Sequence, residues 1–213
     1  MIWGLVPVAY LLGTFPSAVM VARSKGIDIT QVGSRNPGAS NVARTMGTAW
    51  GVAVFVLDGF KGAIPAVLGL AVDEPKATYA LVTAAVLGHM YPVTRRFVGG
   101  KGVATVGGAM VVLHPVVFVV LTAVWVAIRK ITGKASLGSL VIAVGLPAGV
   151  AIDGSPGWEV AAAAVLAVLV LARHTDNIRR LVRGRELSAS RQPSEPVAHP
   201  GPEPGPHPTS KPC

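Results

Sequence analysis

Charged residues are scarce in this sequence. Only 14% of its 213 residues are Asp, Glu, Lys or Arg, whereas 51% are hydrophobic. A water-soluble domain normally carries about a quarter charged residues, and the mean hydropathy here is +0.56. The shortage of charge excludes an ordinary soluble domain and predicts an integral membrane protein that crosses the bilayer several times.

Cysteine and acidic residues are also in short supply. The single cysteine, Cys213, excludes a disulfide within the chain, and its place in SKPC does not fit prenylation. Ten Asp and Glu stand against 19 Lys and Arg, which gives a formal net charge of +9. No aromatic-basic motif accompanies this excess, so we expect no nucleic-acid partner. The basic residues are instead typical of cytoplasmic loops near anionic lipid.

Six apolar runs divide the chain, at residues 2–22, 49–72, 77–93, 103–128, 137–152 and 158–172. A straight helix needs about 20 residues to cross a hydrocarbon core of about 30 Å, so most runs predict one crossing. The first run has neither a basic start nor a convincing cleavage site, and we expect it to be a retained span. Run 103–128 is ambiguous because His114-Pro115 interrupts it.

The basic residues resolve this ambiguity. Four segments that follow apolar runs are basic, and the positive-inside rule assigns all four to the cytoplasm. They contain Arg23, Lys25, Arg35 and Arg44; Arg95, Arg96 and Lys101; Arg129, Lys130 and Lys134; and Arg173, Arg179, Arg180, Arg183 and Arg185. Two of them flank run 103–128, so the chain turns back near His114-Pro115 and the run forms two short helices of about a dozen residues each. Such helices must tilt, be shielded or lie where the membrane is thin.

The predicted fold is therefore an all-α integral membrane protein with about seven transmembrane helices, some of them short. Its N-terminus lies outside and its C-terminus in the cytoplasm. Residues 1–187 form the membrane-embedded domain. Residues 188–213, rich in proline and glycine, form a cytoplasmic tail that is predicted to be disordered. The chain contains no evident internal repeat, which weakens the case for an inverted-repeat transporter.

Residues 32–47, VGSRNPGASNVARTMG, are the first segment with more polar side chains than a connector needs. A turn at Asn36-Pro37-Gly38 leads into a helix, and a helix N-terminus offers free N–H groups to an anion. Ser34, Asn36 and Asn41 add neutral donors, and Arg44 adds a forked cation that suits phosphate. The alternative is an ordinary basic connector, and both interpretations stay open for this segment alone.

Residues 97–108, FVGGKGVATVGG, are the second segment. The nucleotide-binding pattern G-x-x-x-x-G-K-[ST] fails, because Arg95 replaces its first glycine and Gly102 follows Lys101. Glycines that lead into a helix can still form an anion-binding nest, here with the point charge of Lys101. Packing of helices explains Gly107 and Gly108, but it does not explain a lysine among glycines at a membrane edge. An anion site is favoured.

Three further sites carry ionisable groups. In ARHTDNIRRLVRGREL, residues 172–187, His174 and Asn177 share a helix face, whereas the arginines are typical of membrane-surface anchors. Asp58 and Lys61 lie three positions apart within run 49–72, and we interpret them as a structural ion pair. His89 lies near the end of run 77–93 and close in sequence to Gly99, Gly100, Lys101 and Gly102, which we call the glycine loop. It is either structural or an acid/base group.

All three polar segments fall on the cytoplasmic face in this topology. A site of phosphate-binding donors within a lipid-facing bundle indicates an enzyme that joins a phosphorylated headgroup to an acyl chain. A transporter of phosphate or organophosphate would place such residues near the bilayer midplane. A CDP-alcohol phosphotransferase needs a carboxylate-rich metal motif, which Asp58-Gly59 does not provide.

Four motifs, GSRNPGASNVARTMG, LDGFKGAIPA, LGHMYPV with GGKGVAT, and ARHTDNIRRLVRGRE, occur in this order between about residues 5 and 187. In order and spacing they resemble the bacterial acyl-phosphate:glycerol-3-phosphate acyltransferase family. The resemblance implies a seven-span enzyme of phospholipid synthesis in the bacterial cytoplasmic membrane, with its active site on the cytoplasmic face. It implies transfer of an acyl group from acyl phosphate to the sn-1 hydroxyl of glycerol 3-phosphate, giving lysophosphatidic acid and phosphate.

The resemblance also implies roles for residues at matching positions. Glycerol 3-phosphate would be held by Ser34, Arg44, Lys101, His174 and Asn177. The acyl phosphate would be held by Gly99, Gly100, Lys101 and Gly102, with Asn36 and Asn41. Three positions depart from the family's usual pattern, because Arg35 stands where glycine is common, Ser40 where threonine is common, and Val98 where lysine often stands.

We expect direct transfer, in which the hydroxyl attacks the acyl carbonyl and phosphate leaves. His174, Lys101 and His89 are the candidate catalytic residues, and the proton acceptor is His174, His89 or a substrate phosphate oxygen. Asp58 and Lys61 have a supporting role. We expect no metal and no cofactor, and the expected partners are the two substrates and membrane lipids, with the protein a monomer.

Overall fold

The computed structural model describes residues 2–189, and within that range every regular element is a helix. Short 3₁₀ turns at Ile2–Leu5 and Val93–Arg95 accompany ten α-helices in this part of the chain. In order they are α1 (Val6–Gly13), α2 (Ser17–Arg23), α3 (Ala39–Met46), α4 (Thr48–Ala71), α5 (Pro75–Met90), α6 (Val103–Leu113), α7 (Pro115–Thr132), α8 (Ala135–Ile152), α9 (Gly157–Arg173) and α10 (Thr175–Val182). The predicted tail lies outside the described residues, except for Ser188 and Ala189.

Four segments are long and apolar enough to cross a membrane, namely Ile2–Arg23, α4, α7 and α8. A fifth is added if α9 and α10, which meet at a 59° bend, count as one span. Large apolar side chains point outward from them, and Phe60 and Val119 are 55% and 63% exposed. The all-helical membrane architecture agrees with the sequence prediction, whereas the number seven and the orientation of the termini stay predictions.

The first apolar run is broken between α1 and α2, at Thr14, Phe15 and Pro16. Pro16 has no backbone N–H and its ring obstructs the preceding turn, so a helix cannot continue through it unchanged. The Thr14 hydroxyl instead donates to the carbonyl oxygen of Leu11, 2.7 Å away. This break brings Ser17, the first residue of α2, against Asp58 in α4.

The chain turns at His114-Pro115, as the sequence predicts, but the two helices differ from the prediction. α6 is short, at 11 residues, whereas α7 continues for 18 residues. The expectation of two short helices is therefore wrong for α7. Arg129 and Lys130 do not end it, because long basic side chains can carry their charge away from the apolar surface while the backbone stays helical.

A cluster of ionisable side chains holds this turn. His114 Nδ1 lies 2.9 Å from Asp153 Oδ2, beyond the end of α8, and its Nε2 lies 2.8 Å from the hydroxyl of Tyr79 in α5. The same hydroxyl lies 3.4 Å from Glu159 in α9. The cluster therefore ties the α6–α7 turn to three other helices, at the ends that lie away from the polar segments described above.

α4 and α6 approach so closely that their backbones nearly touch. A Cβ atom on Gly108 would overlap the carbonyl group of Gly59, so only glycine fits at that contact. Glycine at helix crossings permits such close backbone approach in membrane proteins. The contact holds α6, which follows the glycine loop, against the helix that carries Asp58 and Lys61.

Candidate active site

A cavity of about 370 Å³ opens between the helices, and its wall changes character from one end to the other. Its polar end is formed by the α3 segment, the glycine loop and the start of α10. The rest is apolar and is lined mainly by side chains of α6 to α9, which include Met110, Phe118, Leu121, Trp125, Leu146 and Val170. The cavity can therefore hold a molecule with an anionic head and a long apolar chain.

Asn41 organises the first polar segment. Its side-chain oxygen accepts a hydrogen bond from the backbone N–H of Ser34 at 2.8 Å, and its amide nitrogen donates to the carbonyl oxygens of Ile29 and Val32. The residue is only 1% exposed. Its hydrogen bonds hold the loop in place, which leaves the partly exposed Ser34 and Asn36 at the cavity wall.

Arg44 extends from α3 into the polar end and is 5% exposed. Its Nη1 donates to Asn41 Oδ1 at 3.3 Å and its Nε to the carbonyl oxygen of Ser188 at 2.7 Å. Burial lowers the pKa of Arg44, an effect that Glu186 opposes and Arg180 reinforces. The guanidinium still remains a cation at neutral pH, because arginine is effectively always protonated in proteins.

Lys101 reaches from the glycine loop to α10, where its Nζ donates to Asn177 Oδ1. Burial lowers the pKa of Lys101 to about 8, and the positive charges of Arg180, Arg173 and Arg44 act in the same direction. Several cations thus share one small region, and Lys101 retains its proton less firmly than an exposed lysine does. Such a cluster of buried and partly buried cations favours an anionic ligand.

The glycine loop packs directly against His89, and Gly100 shows why glycine is needed there. The Gly100 N–H donates to the carbonyl oxygen of His89 at 3.1 Å, and a Cβ atom on Gly100 would overlap the imidazole ring. The loop leads into α6, whose first helical residue is Val103. Lys101, Gly102, Val103 and Ala104 line the cavity, so the N-terminus of α6 lies at its polar end, as an anion-binding helix end must.

His174 lies between α9 and α10, just beyond the last residue of α9, and is 2% exposed. Its Nδ1 donates to the carbonyl oxygen of Val170 at 2.8 Å. Burial lowers the pKa of His174 to about 4, and the nearby Lys101 charge contributes. His174 and Asn177, paired in the sequence analysis, both line the cavity.

Asp58 and Lys61 form a buried cluster beside the glycine loop. Asp58 Oδ1 accepts hydrogen bonds from Lys61 Nζ at 2.6 Å and from the Ser17 hydroxyl at 2.7 Å. His89 Nδ1 lies 3.4 Å from Lys61 Nζ and 3.6 Å from Asp58 Oδ1. The ion pair that the sequence suggested is present in the structure, and it contacts the loop through His89.

Sequence reasoning missed Glu186, whose carboxylate lies among the candidate residues. Its Oε1 accepts from Asn177 Nδ2 at 2.7 Å and from the Ser136 hydroxyl at 2.9 Å, and its Oε2 accepts from Arg180 Nε at 3.0 Å. The one signal was a single acidic residue in the arginine-rich sequence RRLVRGRE. Arg173 was also missed, and it contacts the glycine loop.

The geometry allows transfer chemistry on anionic substrates. Lys101, Arg44, His174 and Asn177 lie at the polar end of one cavity, although they come from three distant segments of the chain. In residues 2–189, no group of three or more His, Cys, Asp and Glu side chains is arranged to hold a metal ion. The cations of Lys101 and Arg44 at this end can stabilise negative charge that develops on a bound substrate.

The family model described as glycerol-3-phosphate acyltransferase matches residues 3–184 of this chain. The chain is 45% identical to the glycerol-3-phosphate acyltransferase of Solidesulfovibrio magneticus over 181 residues, which cover 84% of this chain and 90% of that one. It is 40% identical to the Aquifex aeolicus protein of the same name over 185 residues, 85% of this chain and 96% of that one.

Two solved structures resemble the fold. Both are crystal structures of PlsY (YgiH), an integral membrane glycerol 3-phosphate acyltransferase. The glycerol 3-phosphate form gives a TM-score of 0.84 and the lysophosphatidic acid form 0.82. Each is 38% identical to this chain, and the match covers 88% of this chain and 94% of that one. Their similarity therefore extends over nearly the whole described bundle.

Proposed function

The chain belongs to the glycerol-3-phosphate acyltransferase family, and on that premise we propose how its cavity performs acyl transfer. The protein is an acyltransferase of phospholipid synthesis that acts on glycerol 3-phosphate. The donor in this proposal is an acyl phosphate, and the products are lysophosphatidic acid and inorganic phosphate. The supporting observation is a cavity with clustered cations at one end and an apolar wall along the rest.

The donor lies along the whole cavity. Its acyl chain contacts the apolar side chains of α6 to α9. Its phosphate lies at Lys101 and Gly102 in the cavity wall, where the N-terminus of α6 opens, whereas Gly99 and Gly100 are buried outside that wall and support the loop. Free N–H groups at a helix N-terminus favour a bound phosphate. The Lys101 ammonium adds charge as the phosphate departs, which lowers the barrier where negative charge develops.

Glycerol 3-phosphate occupies the opposite side of the polar end. Its phosphate pairs with Arg44, whose guanidinium suits a phosphate's oxygens, and is assisted by Ser34 and Asn177. This arrangement directs the sn-1 hydroxyl toward the acyl carbonyl. Holding both reactants in one orientation supplies a large part of the rate enhancement.

The hydroxyl attacks the acyl carbonyl directly, and the phosphate leaves. The hydroxyls of Ser136 and Ser139, in the cavity wall, donate to Glu186 and to the carbonyl oxygen of Ala135, and are not paired with an imidazole. A serine nucleophile requires such a base beside it. His174, neutral and with Nδ1 bound to the Val170 carbonyl oxygen, accepts the hydroxyl proton at Nε2.

We assign the polar end to the cytoplasmic face of the bacterial inner membrane. Hydrogen bonds from Lys101 to Asn177, Arg44 to Ser188 and Ser136 to Glu186 join all four basic segments at this end. The positive-inside rule then puts this end in the cytoplasm. Seven spans, with the N-terminus outside and the C-terminus inside, remain the topology we propose.

An assay on purified protein tests the proposal. Palmitoyl phosphate with radiolabelled glycerol 3-phosphate should give labelled lysophosphatidic acid and one equivalent of inorganic phosphate, whereas palmitoyl-CoA should give none. Equal product from palmitoyl-CoA would refute the donor assignment. Uptake of label into protein-containing vesicles without acylation would indicate a transporter. That alternative is disfavoured because the cations lie together at one end of the cavity, whereas a transporter binds its substrate near the bilayer midplane.

A further inference from the structure

Arg173, the last residue of α9, is bound to the backbone of the glycine loop. Its Nη2 lies 2.9 Å from the carbonyl oxygen of Gly99, and its Nε lies 3.2 Å from that of Gly100. The guanidinium carbon lies 5.1 Å from the centre of the Tyr91 ring. One side chain thus connects α9 with two successive loop carbonyls and with the aromatic residue that follows α5.

The two sides of the loop are held by different partners. Arg173 binds the carbonyl oxygens of Gly99 and Gly100, while the Gly100 N–H donates to the carbonyl oxygen of His89. A glycine loop has more conformational freedom than any other, so it needs external contacts to keep one shape. With its carbonyl groups held, the loop turns Lys101 and the start of α6 toward the cavity.

We propose that Arg173 is a positioning residue for acyl transfer, which acts by clamping the Gly99 and Gly100 carbonyls so that the loop receives a substrate phosphate. The reaction, and the identity of that phosphate as the acyl donor's, rest on the proposed function. Arg173 lies outside the set of residues that contact substrate in that proposal. Its effect reaches the reaction through the loop.

The forked shape of the guanidinium is what the clamp requires. Arginine presents several N–H donors in one rigid plane and can bind two neighbouring oxygens, whereas the ammonium of lysine is a compact point charge. Arg173 also lies close enough to Lys101 and His174 to affect both electrostatically. A role through charge alone is therefore a real alternative, and the two roles differ in what lysine at position 173 would do.

The test compares Arg173→Lys and Arg173→Met with matched changes at Arg179, an exposed arginine that pairs only loosely with Asp176 at 3.6 Å. KM for palmitoyl phosphate, KM for glycerol 3-phosphate and kcat are measured for each purified variant. A clamp predicts that both Arg173 variants raise KM for palmitoyl phosphate by about tenfold, because each loses charge-assisted hydrogen bonds. Arg179→Lys and Arg179→Met should stay within about twofold of the wild type.

Each other outcome has a defined meaning. If Arg173→Lys matches the wild type while Arg173→Met does not, the residue acts through charge and the clamp is refuted. If neither variant changes KM, Arg173 does not position the loop. If KM for glycerol 3-phosphate rises instead, Arg173 still positions the loop, but the loop holds the phosphate of glycerol 3-phosphate. That result overturns the assignment of the loop to the acyl donor. Absence of lysophosphatidic acid from the wild type itself would refute the proposed function separately.

A folding defect in an Arg173 variant can be distinguished from a loss of loop positioning. Arg173→Lys preserves charge and most of the side-chain length, and its melting temperature should lie close to that of Arg179→Lys. The selective rise in one KM is a readout that general loosening of the bundle would not produce, because loosening would affect both substrates and kcat together. A parallel loss in all three quantities would count against positioning.

Discussion

His174 Nδ1 lies 2.8 Å from the carbonyl oxygen of Val170, one turn earlier in α9. Because a carbonyl oxygen only accepts hydrogen bonds, Nδ1 carries the hydrogen and Nε2 keeps its lone pair. Burial, with help from Lys101, lowers the pKa of His174 to about 4, so the ring is neutral at pH 7. These two properties agree with the proposed role of His174 as proton acceptor, because the ring is neutral and its tautomer is fixed by the helix that precedes it.

Removing this acceptor should reduce turnover. We expect His174→Ala to lower kcat by a factor of about 10² to 10⁴, the usual contribution of a positioned acid or base. Steady-state assays with palmitoyl phosphate measure the effect. His114→Gln, a change at the distant α6–α7 turn, serves as the histidine control and should leave kcat within about twofold. Near-normal kcat in His174→Ala would mean that a substrate phosphate oxygen accepts the proton.

Lys101 should make donor binding depend on pH. Its pKa is lowered to about 8, chiefly by burial, so the charged form is present below that value and is lost as pH rises through it. An anion binds the charged form more tightly, and about a tenth of Lys101 is charged one pH unit above its pKa. KM for palmitoyl phosphate should therefore rise by up to about tenfold between pH 7 and pH 9.

The Lys101→Arg variant separates this effect from other titrations. Arginine remains charged throughout the range, so its KM should be nearly constant between pH 7 and pH 9, even if the value itself is raised. The same upward slope in Lys101→Arg would show that a different group titrates. Measuring hydrolysis of palmitoyl phosphate without enzyme at each pH corrects for loss of donor.

Gly100 should not tolerate a side chain. A Cβ atom there would overlap the His89 ring, and distortion of this kind costs about 1–3 kcal/mol. We expect Gly100→Ala to raise KM for palmitoyl phosphate by roughly tenfold. Gly157→Ala, at the start of α9, is the matched control because nothing lies within 4 Å of its added Cβ. Equal KM values for these two variants would argue that the loop's shape is not needed.

Asp58 and Lys61 should behave as a structural pair. Removing one partner leaves a buried charge alone and costs about 3–5 kcal/mol, whereas replacing both with apolar residues is often neutral. We therefore expect Asp58→Leu and Lys61→Met each to lower the melting temperature in detergent more than the double variant does. Additive losses would contradict a mutual pair, and a stable but inactive double variant would indicate a direct catalytic role.

Arg35 lies in the left-handed region, with φ of 58°. A side chain in this conformation costs about 1–2 kcal/mol. Arg35→Gly should therefore stabilise the protein by about 1 kcal/mol after the greater freedom of glycine in the unfolded chain is counted. Thermal unfolding in detergent measures this gain in stability. Unchanged KM values for both substrates would agree with the exposed position of Arg35. A lower melting temperature would show that Arg35 makes contacts that outweigh the strain.

The sequence was most informative where polar residues of a recognisable chemical type interrupt an apolar run. The polar segments at residues 32–47, 97–108 and 172–187 could be found because phosphate-binding residue types interrupt apolar runs, and the His114-Pro115 turn followed from charge parity. Glu186 and Arg173 could not be assigned, because Glu186 also binds Ser136 and Arg173 binds Gly99 and Gly100, all of which lie far away in the chain. Among many arginines, nothing in the sequence tells a loop-binding side chain from a surface anchor.

The length of α7 was predicted wrongly for a different reason. Charged residues marked the end of an apolar run, but helix formation depends on the backbone and continues through Arg129 and Lys130 as far as Thr132. Hydropathy therefore placed the end of α7 too early in the chain.

The contact between Gly59 and Gly108 has a consequence for how the protein enters a membrane. α6 has 11 residues, about half of the 20 that a segment needs to insert on its own. We expect α4 to be in the bilayer first, since its backbone provides the surface on which α6 lies. α6 and α7 would then enter together as a hairpin. The contact between these two glycines would thus set the order of insertion. α6, which begins after the glycine loop, would enter the membrane only after α4, which supports it.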